Sequence, residues 1–158
     1  MNISEKRRLF LKGSVTAGTL GVAVSAGLIT PTTVMAKWAE SAFLADKTED
    51  AIKNLFGSNN AENSSAVTIN APEVAENGAV VPVTVESSLK GIESIAIFSQ
   101  NNARPLTCSY DFLDSNVSGF VSTRIKVGKS GDLTAVVKAG GKLYSAKTPV
   151  KVTLGGCG

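Results

Sequence analysis

The sequence contains no histidine and only two cysteines, Cys108 and Cys157, among its 158 residues. The missing imidazole removes the commonest general base and the commonest metal ligand. Two cysteines so far apart in the chain cannot form a zinc ribbon or hold an iron–sulfur cluster. We therefore expect no metal site, no catalytic residue and no bound cofactor.

Charge is also scarce, at 18% of residues, and the formal net charge is +3. The positive excess lies in residues 1–36, which hold four basic residues against Glu5. The remainder is neutral overall, so it lacks the basic surface that binds nucleic acid, and we expect no nucleic-acid partner. An apolar content of 43% is enough for the core of one globular domain.

The first residues predict an export signal. Arg7 and Arg8 precede an apolar stretch, residues 14–29, that is shorter than the about 20 residues needed to span a bilayer. Small residues ending at Ala36 are typical of a cleavage site. We expect residues 1–36 to be a twin-arginine signal peptide cleaved after Ala36, with the mature chain in the periplasm and no stable membrane anchor. The alternative is a segment that is kept as an anchor.

Residues 37–57 predict a short helical lead. Thr48 is suited to cap a helix, and Gly57 is suited to end it. Trp38 and Phe43 make the upstream stretch apolar, and they either pack on the main domain or dock a partner. The apolar residues of the helix share one face: Ile52, Leu55 and Phe56.

Short strands follow a polar linker at residues 58–65. Alternating apolar residues between turn signals predict seven or eight strands in a domain that covers residues 66–154. With no helix between them, these strands predict an all-β fold, an immunoglobulin-like antiparallel β-sandwich. The strands are expected at 67–69, 79–86, 92–99, 106–112, 120–127, 132–139, 142–147 and 150–154.

Glycine and proline mark the turns between these strands. Asn77-Gly78 and Gly140-Gly141 are pairs that readily adopt positive φ, and the second pair predicts a tight hairpin. Pro82 cannot donate a hydrogen bond to a neighbouring strand. We therefore expect an edge or a bulge at Pro82.

The chain ends in Gly155-Gly156-Cys157-Gly158, and these residues predict a flexible arm. Four extended residues reach roughly 13 Å beyond the sheet, and glycine adds neither bulk nor stiffness. Such an arm is suited to entering a narrow channel in another protein. No histidine exists to activate the Cys157 thiol, so its chemistry must come from other enzymes. We expect Cys157 to be a covalent attachment point on a swinging arm, residues 155–158, and the chain to be a carrier rather than an enzyme.

Other interpretations of the two cysteines remain open. In one interpretation the tail is an inert end. In the others Cys157 forms a disulfide with Cys108 or with a second copy of the chain. The flanking glycines favour a mobile thiol over a static bridge. Alternation places Leu106, Cys108, Tyr110 and Phe112 on one face of a strand, so Cys108 is expected to be a buried small hydrophobic residue.

Four stretches together resemble the SoxY family. They are the twin-arginine leader, APEVAENGAVVPV at 71–83, FVSTRIKV at 120–127 and the terminal VKVTLGGCG. SoxY is the sulfur-carrier subunit of the bacterial Sox thiosulfate-oxidation system. The resemblance implies a heterodimer with a SoxZ-like subunit, and sulfur intermediates such as S-thiosulfonate held covalently on Cys157. It also implies a haem thiosulfate-conjugating enzyme, a sulfate thiol hydrolase and a sulfane dehydrogenase as partners.

Two features depart from the family pattern, and two other functions compete with it. The family motif is G-G-C-G-G, whereas this sequence reads G-G-C-G. Cys108 is not in that motif, so it is a candidate regulatory thiol that could mask Cys157 in an oxidised resting form. One rival function is an envelope thiol oxidoreductase, which the missing C-x-x-C pattern disfavours. The other is an immunoglobulin-like scaffold or adhesion module with an incidental tail.

Overall fold

The structure is a computed structural model that describes residues 39–114 and 117–153. The predicted signal peptide (with Arg7 and Arg8) and Trp38 lie outside the described residues. None of the helices within those ranges is long and apolar enough to cross a membrane. The helices are α1 (Glu40–Phe43) and α2 (Thr48–Phe56). The strands are β1 (Ala61–Asn63), β2 (Val67–Asn70), β3 (Val74–Ala75), β4 (Val81–Ser87), β5 (Ile92–Ser99), β6 (Leu106–Asp111), β7 (Gly119–Ile125), β8 (Gly131–Ala139) and β9 (Lys142–Val152).

The strands form two sheets that pack face to face. The larger sheet has the order β1-β9-β8-β5-β6, with β3 also pairing with β9, and the smaller sheet has the order β2-β4-β7. The pairs are antiparallel except for β1–β9 and β3–β9, which are parallel. This architecture confirms the predicted all-β, immunoglobulin-like sandwich with a short helical segment before it.

Two apolar clusters stabilise this arrangement. The sandwich core lies between the sheets and includes Val85 of β4 and Ile95 of β5. The helix–sheet cluster lies on the other face of the larger sheet, where Phe98 and Val136 pack against Ile52 of α2. Because β5 and β8 contribute to both clusters, their side chains are buried on both faces. These two strands therefore hold the helices and the smaller sheet to one framework.

The helical lead matches the prediction except at its first residue. Gly57 ends α2 with a φ of 79°, and its N–H donates to the Lys53 carbonyl. The N-cap is Lys47, so the prediction that Thr48 caps the helix is wrong by one residue. Thr48 is instead the first helical residue, and its hydroxyl is buried with no hydrogen-bond partner in the described chain. Phe43 packs, partly buried, against the helix–sheet cluster, so it lies on the main domain rather than on a free surface.

Two stretches differ from their predicted structure. The linker at 58–65 contains β1, which pairs with β9 through backbone groups and needs no apolar alternation. The predicted strands 142–147 and 150–154 form one continuous strand, β9, that runs through Pro149. Proline is tolerated there because Pro149 lies between the parts of β9 that pair with β1 and with β3, where no N–H is required.

The turn predictions are confirmed, although one rests on a different cause. Gly140 and Gly141 have φ values of 55° and 75°, as the β8–β9 hairpin requires. Asn77 and Gly78 also form a turn, in which Asn77 Oδ1 accepts a backbone N–H two residues on, but neither has positive φ. Pro82 lies beyond the residues of β4 that pair with β2, so the expected edge is present.

A bulge changes which side chains of β6 face the core. Ile97 pairs with Cys108 whereas Phe98 pairs with Leu106, so Thr107 is the extra residue. The Thr107 hydroxyl donates to the Ile97 carbonyl at 2.7 Å. Leu106 consequently joins the helix–sheet cluster, while Cys108 packs against the sandwich core. The prediction that these two residues share one face is wrong, because strict alternation fails across a bulge.

Because β5 is buried on both faces, we expect substitution of Phe98 to lower the stability of the fold strongly. Its side chain is fully buried, whereas the Phe120 side chain is 52% exposed. Phe98→Ala should lower the free energy of unfolding by about 3–5 kcal/mol, because it leaves a cavity between sheet and helices. Phe120→Ala, the matched control, should change it by about 0.5 kcal/mol or less. Urea denaturation measures both, and similar losses would show that the helix–sheet cluster contributes little.

Candidate functional site

The predicted attachment point and its arm, Cys157 with Gly155, Gly156 and Gly158, lie outside the described residues. The structure does describe the chain as far as Thr153. The last two residues of β9, Lys151 and Val152, together with Thr153, which follows them, are here called the arm root. Its geometry decides how firmly the following residues are attached to the domain.

Backbone hydrogen bonds from the β3 region hold one side of the arm root. The Lys151 N–H donates to the Glu73 carbonyl at 2.9 Å, and the Thr153 N–H donates to the Ala75 carbonyl at 3.1 Å. Ala75 is itself buried in the sandwich core. The last described residue is therefore tied to the core rather than frayed from it.

A serine side chain holds the other side of the arm root. The last residue pair of β8 and β9 joins Gly131 to Val150, so the regular ladder stops before Val152. The Val152 N–H donates to Ser130 Oγ at 2.8 Å, and this hydroxyl lies 3.3 Å from the Val152 carbonyl, to which it donates. Ser130 thus replaces the missing strand partner.

Gly78 makes a close approach that also supports the arm root. Its carbonyl accepts the Val127 N–H at 2.7 Å. An added Cβ at Gly78 would overlap the Val127 carbonyl and would lie 2.8 Å from Cγ1 of Val152. Glycine is required here because a side chain would overlap these neighbours, and not because the backbone has a positive φ. The turn that the sequence predicted is therefore part of the support for β9.

Sequence reasoning identified the inward positions of β9 but missed its supports. The alternation of Val150, Val152 and Leu154 predicts that all three face inward; Val150 is buried in the sandwich core and Val152 packs partly against it, while Leu154 lies outside the described residues. Ser130 carries no sequence signal, since its partner is 22 residues away. The β3 strand is too short for any alternation to indicate it.

Cys108 is a half-buried free thiol on β6, an outer strand of the larger sheet. Thr107 Oγ1 lies 3.7 Å from its Sγ atom. The thiol borders a shallow cleft of about 250 Å³ that Arg124 and Lys126 also line. Cys108 therefore packs against the core, as a small hydrophobic residue would, while keeping part of its surface exposed.

Burial raises the pKa of the Cys108 thiol above its ordinary value, and hydrogen bonding with Thr107 and Tyr110 offsets this only in part. The thiolate is the nucleophilic form of cysteine. A thiol that stays protonated at neutral pH is therefore a poor nucleophile. The raised pKa therefore argues against Cys108 as an activated, catalytic cysteine.

Cys108 and the arm root lie far apart on the larger sheet. The register runs straight across from Cys108 through Ile97 and Ala135 to Ala146 of β9. Three strand spacings of about 4.8 Å separate β6 from β9 by about 14 Å, and Thr153 lies about 23 Å farther along β9 than Ala146. The two offsets combine to a separation of about 27 Å.

This separation argues against a disulfide between the two cysteines of one chain. Four residues lead from Thr153 to Cys157, and fully extended they span at most about 14 Å. A disulfide needs Cα atoms within about 7 Å of each other. The bridge to Cys108 is therefore out of reach while the sheet is intact, and so is a resting form in which this bridge masks Cys157.

The described residues contain no group of three or more histidine, cysteine, aspartate or glutamate side chains that could hold a metal ion. The arm root is fixed on both sides, and Cys108 is set apart from it.

Comparison with known families identifies the folded domain that carries the arm root. The family model described as "Sulfur oxidation protein SoxY" matches residues 52–157, which include the second half of α2, the whole sandwich and Cys157. The chain belongs to the SoxY family. Its members are sulfur carriers of sulfur oxidation, so the predicted family is confirmed.

A solved SoxY structure agrees with this assignment. The sulfur carrier protein SoxY from Chlorobium limicola f thiosulfatophilum is 47% identical, with a TM-score of 0.62 over 68% of this chain and 97% of that one. Superoxide reductase (neelaredoxin) from Ignicoccus hospitalis also matches, with 20% identity and a TM-score of 0.49 over 56% of this chain and 80% of its own. That likeness is too weak to support any argument about function. No curated protein sequence matches the chain.

The double hydrogen bond of Ser130 predicts the behaviour of the arm root in this SoxY chain. Ser130→Ala should leave the Val152 N–H without a partner and lower its protection against hydrogen exchange by about two- to tenfold, the worth of one hydrogen bond. Ser88→Ala, in the β4–β5 loop, is the matched control and should leave Val152 unchanged. Amide exchange followed by NMR measures the effect, and equal protection in both variants would contradict the proposed anchoring.

The raised pKa of Cys108 predicts slow alkylation with a shifted pH dependence. In a Cys157→Ser variant, folded Cys108 should react with iodoacetamide more slowly than the same cysteine in urea. Because burial disfavours the thiolate, the rate should rise only at a higher pH than in the unfolded chain. Mass spectrometry follows the reaction, and identical pH profiles for folded and unfolded chains would refute this account.

Proposed function

We propose that this SoxY chain carries sulfur intermediates covalently on Cys157 and presents them to successive periplasmic enzymes. The observation that supports this most directly is the extent of the family match, which runs from α2 to Cys157 itself. Between the anchored Thr153 and Cys157 the chain has only Leu154, Gly155 and Gly156. A fixed root followed by glycines suits a thiol that must be delivered to different sites.

The proposed loading step is an oxidative conjugation. The Cys157 sulfur and the outer sulfur of thiosulfate form an S–S bond, and the thiol loses its proton. Two electrons leave in this step, and a haem-containing conjugating enzyme accepts them. The product is an S-thiosulfonate on Cys157, so the carrier itself needs no resident cofactor.

The proposed second step is hydrolytic. Water attacks the terminal sulfonate, the bond between that sulfur and its neighbouring sulfane sulfur breaks, and sulfate leaves. The sulfane sulfur remains on Cys157 as a persulfide, and no electrons are exchanged. A sulfate thiol hydrolase is the proposed enzyme, and a sulfane dehydrogenase is the proposed oxidant of the remaining sulfur.

The proposal extends to location and assembly. The Arg7–Arg8 pair would direct the chain through the twin-arginine pathway, with cleavage after Ala36 and a mature protein in the periplasm. A SoxZ-like subunit is the proposed partner in a heterodimer, as the family membership suggests. The arm comprises residues 155–158, with Gly155, Gly156 and Gly158 keeping the surroundings of the thiol free of bulk.

Intact-mass analysis tests the attachment site. After incubation with thiosulfate and the conjugating enzyme, the wild-type chain should gain one thiosulfate-derived group, and Cys157→Ser should gain none. Cys108→Ser is the matched control and should be loaded as the wild type is, since Cys108 is half-buried on a distant strand. Loading of the Cys157→Ser chain, or failure of Cys108→Ser to load while still folded, would exclude this mechanism.

A further inference from the structure

A polar cavity of about 380 Å³ lies between the N-terminus of α2 and the helix-facing side of the larger sheet. It adjoins the helix–sheet cluster: Val136 of β8 and Ile52 of α2 belong to both. The cavity is much larger than the about 30 Å³ that one water molecule occupies in the liquid. Its wall carries hydroxyl, amide and ammonium groups that could bind a ligand. They belong to Thr48, Thr134, Gln100, Lys47 and Lys147.

Two hydroxyls at this cavity have no partner in the described chain. Thr134 is only 5% exposed, lines the cavity and makes no side-chain hydrogen bond within the described residues. Thr48 Oγ1 is buried and equally unpaired there. Buried polar side chains are nearly always hydrogen-bonded in folded proteins, so the unpaired hydroxyl of the deeply buried Thr134, which lines the cavity, points to a ligand that bonds it.

The start of α2 adds backbone donors to the same cavity. The first hydrogen bond within α2 runs from the Ala51 N–H to the Lys47 carbonyl, and no side chain caps the helix. The N–H groups of Thr48, Glu49 and Asp50 therefore have no acceptor in the described ranges. Free N–H groups at the positive end of a helix dipole favour a negatively charged ligand.

The charged side chains at the cavity also fit an anion. Lys47 and Lys147 line it together with Asp46 and Glu49. The guanidinium of Arg104 forms an ion pair with Asp46 and compensates its charge. Two ammonium groups then face the single carboxylate of Glu49. Positive charges thus outnumber uncompensated negative charges at the cavity, which disfavours a metal cation.

We propose that this cavity binds a small inorganic oxyanion of the sulfate class, such as sulfate, thiosulfate or phosphate. The Thr134 hydroxyl donates to its oxygens, the first N–H groups of α2 complete the contact, and Lys147 supplies charge at the rim. The site is separate from Cys157 and does not depend on covalent loading. It gives the chain a non-covalent affinity for oxyanions of sulfur.

NMR titration of the full-length Cys157→Ser chain tests this site without interference from covalent loading. Sodium sulfate, thiosulfate and phosphate are added separately, and sodium chloride at matched ionic strength is the control. The amide signals of Thr48, Glu49 and Asp50 should shift in a saturable way with the oxyanions and not with chloride. Equal shifts with chloride, or oxyanion shifts that exclude these amides, would overturn the proposal.

Two substitutions, each with a matched control, complete the test. Thr134→Val keeps the shape of the side chain and removes its hydroxyl, so oxyanion binding should weaken about tenfold or more, the usual loss for one hydrogen bond to a charged group. Lys147→Gln, at an exposed position, should also weaken binding without affecting the fold. Thr68→Val and Lys142→Gln, on β2 and β9 outside the cavity, should bind as the parent does. Unchanged affinity in Thr134→Val or in Lys147→Gln would refute the assignment.

Discussion

The burial of β5 and β8 on both faces is the constraint on which the rest of this structure depends. Their side chains alternate between the sandwich core and the helix–sheet cluster, so neither face tolerates a polar substitution without cost. Separating the helices would expose Phe98, and separating the smaller sheet would expose Ile95. Because β8 also pairs with β9 from Ala139 to Gly131, the same constraint fixes the strand that leads toward Cys157.

Rigidity at the arm root and distance from Cys108 together suit a carrier of the proposed kind. Ser130 and Ala75 hold the two sides of β9 at Val152 and Thr153, so any freedom needed for delivery has to come from the residues that follow. Cys108 lies across the sheet, beyond the reach of Cys157, and burial keeps its thiol protonated. The fold thus withholds Cys108 from the chemistry proposed for Cys157.

The polar end of the helix–sheet layer contrasts with its apolar end. Leaving a buried hydroxyl unpaired costs about 1–3 kcal/mol, and Thr48, which lines the cavity, has this deficit. Phe98, Leu106 and Val136 provide the burial that offsets such a cost a few residues away. Local violations of packing rules are expected where a surface binds a ligand.

Strong local signals in the sequence determined most of the strand positions, the Gly140-Gly141 hairpin, the end of α2 at Gly57 and, through its motifs, the SoxY family. The alternation and turn residues that encode these features are contained within a few neighbouring positions. Tertiary structure alone decided the rest. The bulge at Thr107, the continuity of β9 through Pro149, the pairing of β1 and β3 and the bond from Ser130 to Val152 all depend on backbone partners distant in the chain. The same holds for the cavity below α2 and for the separation of Cys108 from the arm root. Both arise only when strands distant in sequence lie side by side, because no local pattern specifies sheet order and register.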